Sequence, residues 1–217
     1  MTTLAEAAPV LHFSAGDAAV YRGAAVPTLR LPLHASAPGA TVRGLALSID
    51  VRIAAQRRRY RPSECERLAE IFGTPEQWAR SIGSVPWTRA TVNVPAFEGA
   101  RDVDVLLPCS YDFEVAAAKY LAALDDGDIP VDVVITGNAY FADAGGRLQI
   151  AKLPWDADVP ARIPVALWRE AVDAVFAGTG WVRLDRALLQ RLQGYRSRHG
   201  HGDWDATLAS LLDGAGA

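Results

Sequence analysis

Leu45, Leu47, Ile49, Val51 and Ile53 alternate with Ala46, Ser48, Asp50 and Arg52. A period of two over nine positions predicts a strand with one core face and one wet face, as in an antiparallel sheet. Leu29, Leu31 and Leu33 repeat the pattern. Pro32 inside that run predicts an edge strand or a bulge, because proline brings no N–H to a ladder. Ser36-Ala37-Pro38-Gly39 then predicts a turn between the two runs. Short edge strands are expected from Val10 to Phe13 and from Ala19 to Tyr21, and a further strand from Ala90 to Val94.

The stretch from Val103 to Phe141 organises the rest. Val103, Val105 and Leu107 alternate with Asp104 and Leu106 in a rough period of two, and Asp112 stands where a helix N-cap belongs. Phe113, Ala117, Tyr120, Leu121 and Leu124 share one face of a helix over 113–124, which Asp125-Asp126-Gly127 ends. Val131, Val133 and Ile135 then alternate again. A helix set between two such strands must lie against a sheet to bury its stripe. A hairpin turn at Asp143 to Gly146, a strand from Leu148 to Leu153 and an extended piece ending at Pro164 follow. Beyond Pro164 the period becomes helical. Val165, Trp168, Val172, Val175 and Phe176 form one stripe, closed by Gly178. Leu188, Leu189, Leu192 and Tyr195 follow Asp185, and Trp204, Leu208, Leu211 and Leu212 follow Asp203, each aspartate being placed to cap its helix.

From Gln56 to Trp87 the alternation is interrupted. Ser63 with Glu66 and Thr74 with Gln77 have capping-box spacing, and Pro75 suits a first helical turn. Two short helices are predicted over 62–82. The fold read from these patterns is mainly β (α+β). It is an antiparallel β-sandwich over 9–164 with an inserted helix and a two-helix excursion at 57–87. A helical C-terminal appendage, 165–217, packs on it.

Composition narrows the function classes. Half of the 217 residues are hydrophobic and 22% are charged, enough for a sizeable core. The formal net charge of -3 provides no overall field for nucleic acid or an anionic membrane. No run approaches the roughly 20 apolar residues that span a bilayer, and the N-terminus has no basic region before an apolar run. Cys65 and Cys109 lack CxxC spacing, which suits reduced thiols. The expectation is a soluble, cytoplasmic protein.

Arg57, Arg58, Arg59 and Arg61 around Tyr60 form the most concentrated local charge. They could recognise an acidic protein face, a phosphate or RNA, or simply pair with Glu64, Glu66 and Glu70 just downstream. Trp78 and Trp87 flank the exit of the same excursion, and arginine with tryptophan is the chemistry of interface hot spots. Cys109 would need a basic partner such as His12, His34, His199 or His201 to act as a nucleophile, and otherwise reads as a buried thiol. His199-Gly200-His201 with Asp203 could hold a metal, but no further ligand has recognisable spacing, and a solvated loop is the plainer reading. Asp125, Asp126 and Asp128 lack the alternation and distal glutamate of a calcium loop. No GxxxxGK[ST], GxGxxG, HExxH or GxSxG occurs. Neither a cofactor nor a metal is expected.

LLPCSYDFEVAAAKYLAALDDGDIPVDVVITGNAYF, with PTLRLPL before it and PWDADVPARIPVALWREAVDAVFAGTGWVRL after it, resembles an uncharacterised bacterial family associated with gene clusters of high-affinity nickel–iron hydrogenases. The resemblance spans roughly residues 10–212. It implies an accessory or assembly role and supplies no catalytic residues. The helix followed by DDGDIPVDVVITGNAYF is also similar to the immunoglobulin-like sandwich of water-stress, late-embryogenesis-abundant proteins, although Ser36-Ala37-Pro38-Gly39 stands where those carry Asn-Pro-Asn. The function expected first is therefore a non-enzymatic protein that binds a protein partner through Arg57, Arg58, Arg59, Tyr60, Arg61, Trp78 and Trp87. An enzyme centred on Cys109 or on His199 and His201 is one alternative. A holdase is another, since WREAVDAVFAGTGWVRLDRALLQRLQ is faintly similar to the secretion chaperone SecB.

Overall fold

A computed structural model describes residues 8–109, 115–143, 145–154, 157–176 and 182–216. In chain order the elements are β1 (His12–Ala15), β2 (Ala19–Val20), β3 (Thr28–Ala54), α1 (Pro62–Phe72), α2 (Trp78–Ser81), β4 (Ser84–Pro108), α3 (Ala116–Ala122), β5 (Asp128–Ala142), β6 (Leu148–Lys152), β7 (Val159–Pro164), α4 (Val165–Phe176), α5 (Arg186–His199) and α6 (Trp204–Ala215). The strands form one antiparallel, seven-stranded sheet.

That sheet is built on one long hairpin. β3 and β4 pair along nearly their whole lengths, Thr28 opposite Pro108 at one end and Ala54 opposite Ser84 at the other. On its second edge β3 takes β1 and β2 along its first half and β5 along its second half. The β3–β4 register slips between Ala37 and Thr41, where Gly39 and Gly99 hold φ of 71° and 69°. A second slip, against β5, falls between Val42 and Gly44. The two slips explain the burial pattern. Leu29, Leu31, Leu33, Ala35 and Ala37 are buried at odd positions, Val42 at an even one, and Leu45 to Ile53 at odd ones again. An odd number of extra residues flips every side chain to the other face. The first slip inserts three residues of β3 and the second inserts one, which restores the original facing. Both apolar runs thereby join a single core, as in sandwiches whose strands pass from one sheet layer to the other through a bulge.

Ser36-Ala37-Pro38-Gly39 is therefore not a turn but the bulged middle of a continuous strand, and the strands expected at Ala90–Val94 and Val103–Leu107 are parts of one. Nor does Pro32 mark an edge. Its carbonyl accepts from the Gly16 N–H at 2.9 Å, and in a strand a residue's N–H and C=O point to the same side. The missing N–H thus faces the gap between β1 and β2, so the neighbouring strand is the one that breaks.

α3 buries Ala117, Tyr120 and Leu121, with Leu124 just beyond its end, against the sheet. It is shorter than the 113–124 predicted, and Asp112 and Phe113 lie outside the described residues. The chain divides into two compact units, Met1–Gly180 and Trp181–Ala217. The boundary read from the sequence lay after Pro164, whereas α4 buries Val165, Trp168, Ala171 and Val172 within the first unit. α5 and α6 make up the second unit and start at the expected caps. Asp185 accepts from the Ala187 and Leu188 N–H groups, and Asp203 from that of Ala206. Among the described residues no helix is long and apolar enough to cross a membrane.

Candidate partner-binding site

After β3 the chain makes one tight turn over Ala55–Arg57 and enters α1. The helix starts two residues earlier than Ser63 and Glu66 suggested. Pro62 occupies its first position, and the Glu64 carboxylate reaches back to accept from the Arg61 N–H at 2.9 Å. Glu64 is the hub of a local polar network. Its other oxygen, Oε1, accepts from the Asp125 N–H and from the Arg58 guanidinium, both at 2.8 Å. Arg58 extends further, donating to the Asp128 carbonyl at 2.7 Å and to the Asp126 carbonyl at 2.6 Å. The Arg58 and Glu64 side chains are 9% and 1% exposed. This is a buried ion pair within the excursion, and its bonds to Asp125, Asp126 and Asp128 tie it to the turn between α3 and β5.

More contacts fasten the same two segments. Arg67 donates to the Ala123 carbonyl and to Asp125, Arg61 to Asp126, and Ser63 to Asp125. The three aspartates that superficially resembled a calcium loop thus supply carboxylates and carbonyls to arginines. Burial draws the Glu64 carboxyl upward, but the two accepted amides and the Arg58 guanidinium more than offset it. The group is held below the usual carboxylate range.

Beneath the polar layer lies an aromatic one. The Tyr60 hydroxyl donates to the Ala55 carbonyl at 2.6 Å and lies 2.8 Å from the buried Tyr120 hydroxyl. The Tyr60 and Trp78 rings meet edge to face at 5.2 Å, Phe72 packs at 6.0 Å from Trp78, and Trp78 donates to the Gly73 carbonyl. Burial pushes both tyrosine hydroxyls up, so they remain neutral hydrogen-bonding groups.

The sequence-predicted residues therefore divide. Arg58, Tyr60 and Trp78 are turned into the fold. Arg57 and Arg61 keep more than half of their side-chain surface while pairing with Asp132 and Asp126, each at 2.6 Å, and Arg59 is exposed. Trp87 lies on β4, partly buried, with its ring N–H on the Pro108 carbonyl at 3.2 Å. Arg80, on α2, is exposed and was not singled out from the sequence. The pairing reading named Glu64, and Arg58 does pair with it. Arg67, and the bonds Glu64 accepts from the Arg61 and Asp125 N–H groups, were missed. The signal for the Arg61 contact was Glu64 standing two residues after Pro62, the first-turn position from which a glutamate can reach back.

Cys109 takes no part in this network, and His199 and His201 belong to the second unit. Cys109 is buried at the end of the β4 ladder, its N–H donating to the Pro27 carbonyl at 2.8 Å, and burial pushes its thiol up to about 12. A thiol so placed is almost wholly protonated at pH 8, and thiolate is the reactive form. We expect a disulfide reagent at pH 8 to modify Cys65 in the native protein and Cys109 only after denaturation. Rapid modification of Cys109 in the folded chain would contradict that. His199 and His201 lie nearly parallel, 12° apart with ring centroids 5.9 Å apart, and both stack against Tyr195. Among the described residues no group of three or more histidines, cysteines or acids could hold a metal.

Comparison with known proteins places the chain in a family without identifying its chemistry. No curated protein matches it. The CARDB domain of a Pyrococcus furiosus protein, solved in complex with di-metal ions, is similar over 71% of this chain and 91% of its own, at 10% identity and a TM-score of 0.28. β-Glucosidase 3B from Thermotoga neapolitana is similar over 71% of this chain and 16% of its own, at 9% identity and a TM-score of 0.25. The sporulation control protein Spo0M of Bacillus subtilis is similar over 87% and 55%, at 11% identity and a TM-score of 0.21. These scores are too low to carry an argument about this chain. A family model matches residues 8–217, and the chain belongs to that family, the family of unknown function DUF6084.

Proposed function

We propose that the protein is a non-enzymatic accessory or assembly factor that presents the outer surface of the 57–87 excursion to an acidic face of a protein partner. The observation that supports this is the two-sided construction of the excursion. Its inner side is fastened by the buried Arg58–Glu64 pair and the Tyr60–Trp78–Tyr120 cluster, while Arg59 and Arg80 are left on its outer side. Fixing a loop before it binds lowers the ordering cost of association, and arginine is enriched at interfaces. The resemblance to a family found beside nickel–iron hydrogenase genes makes a subunit or maturation factor of such an enzyme the partner to try first.

The test is co-expression of the tagged chain with those hydrogenase subunits and maturation factors, followed by affinity purification. Arg59→Glu with Arg80→Glu should abolish co-purification while leaving the thermal midpoint nearly unchanged, since exposed charges contribute about 0–1 kcal/mol to folding. Undiminished co-purification would move the docking surface elsewhere. Absence of any wild-type complex would remove the hydrogenase reading.

A further inference from the structure

The second unit, taken by itself, is a pair of helices with almost no interior. α5 has no buried residue and α6 has only Thr207. The Tyr195 and Ser210 hydroxyls lie 3.2 Å apart, and the Arg196 guanidinium sits 5.1 Å from the Trp204 ring centre. Leucines remain on the surface of both helices, Leu188 and Leu189 on α5 and Leu208 and Leu212 on α6, the last two 43% and 56% exposed. Two helices of this size bury too little apolar surface to be stable unaided, so the leucines call for a cover.

The charges indicate which cover fits. α5 carries four arginines, Arg186, Arg191, Arg196 and Arg198, and no acid. α6 carries Asp205 and Asp213 and no base. Among the described residues no ion pair joins the two helices. The pair thus presents a basic leucine stripe beside an acidic leucine stripe. A foreign partner would need the matching acidic and basic stripes in the matching order, which a second copy has by construction. Two-fold pairing sets the same patch against itself, so a contact of α5 with the other copy's α6 is made twice.

We propose that two copies of the chain associate through this unit, α5 of each lying against α6 of the other, to close a four-helix bundle over the leucines. Opposite charges flanking the seam select this pairing over α5 on α5.

Sedimentation velocity on the full chain tests the proposal. The wild type should be a dimer at micromolar concentrations and dissociate more readily in high salt. Leu208→Asp with Leu212→Asp should give a monomer whose sheet circular dichroism is unchanged. Arg186→Glu with Arg191→Glu should weaken the dimer at least about tenfold through like charges across the seam. Adding Asp205→Arg and Asp213→Arg to that variant should restore most of the affinity, because complementarity returns with its sense reversed. A wild type that stays monomeric to about 100 µM, a range in which specific interfaces of this kind associate, would overturn the proposal. Charge reversal without effect on a dimer would overturn it as well.

Discussion

Replacing Glu64 by Ala should cost about 3–5 kcal/mol of folding free energy, and replacing Arg58 by Ala should cost a similar amount. Each change strands the other charge in a site where the two side chains are 1% and 9% exposed. Loss of Glu64 also orphans the Arg61 and Asp125 N–H groups. Removing both members should cost less than the sum of the single changes, because the second removal no longer leaves a buried charge behind. Urea denaturation of the four proteins in the cycle gives the coupling directly.

The same pair has a pH signature. The folded state holds the Glu64 carboxyl below its ordinary value of 4.5. A carboxyl with a depressed folded pKa contributes its full stabilisation above the unfolded value and loses it as pH falls through the folded one. The stability gap between wild type and Glu64→Ala should therefore be constant near neutrality and narrow below about pH 4.5. A gap that widens in acid would mean that something other than the ionised carboxylate fastens the turn.

Gly137→Ala should be comparably severe. Gly137 lies in β5 opposite Leu47 with φ at 151°, a backbone state that L side chains rarely adopt. A Cβ there would stand 2.1 Å from the Ala46 carbonyl oxygen and 3.0 Å from the Leu47 Cα. Neither atom can yield without shifting the centre of the β3–β5 ladder. Backbone strain of about 1–3 kcal/mol and overpacking of similar size together predict a loss of about 2–6 kcal/mol. Gly146→Ala is the control. Gly146 also has positive φ, 76°, but a Cβ would meet nothing within 4 Å. It should lose only the cost of a left-handed backbone for an L residue, about 1–2 kcal/mol. Equal midpoints for the two variants in thermal melts would contradict the steric argument.

How much of the fold could be read from the chain depends on the physics of each signal. The odd-numbered run from Leu45 to Ile53 was legible because one strand face is fully buried and the other is not, and a period of two records that directly. The caps at Asp185 and Asp203 were legible because capping is local. The length of β3 was not. Pro38 and Gly39 carry turn chemistry, and whether such residues end a strand or bulge it depends on a partner that arrives some sixty residues later. The excursion showed the same limit. Arg57 to Arg61 could be seen as a cluster with Glu64 downstream to pair with, but not which member turns inward, because Arg58 is also held by the Asp126 and Asp128 carbonyls, some seventy residues on. Pro62 and Glu64 held the local part of that information, and the more familiar serine spacing obscured it.

Native-state hydrogen exchange tests most directly whether the 57–87 excursion is an ordered platform fastened through Glu64. In wild type the amides of Arg61 and of Cys65 to Phe72, together with the Asp125 amide, should be protected to within about a factor of ten of the β3 and β5 ladder amides, as expected of segments that open with the core. In Glu64→Ala their protection should fall well below that of the ladders. An excursion that exchanges rapidly in the wild type, or whose protection is the same without Glu64, would contradict the account.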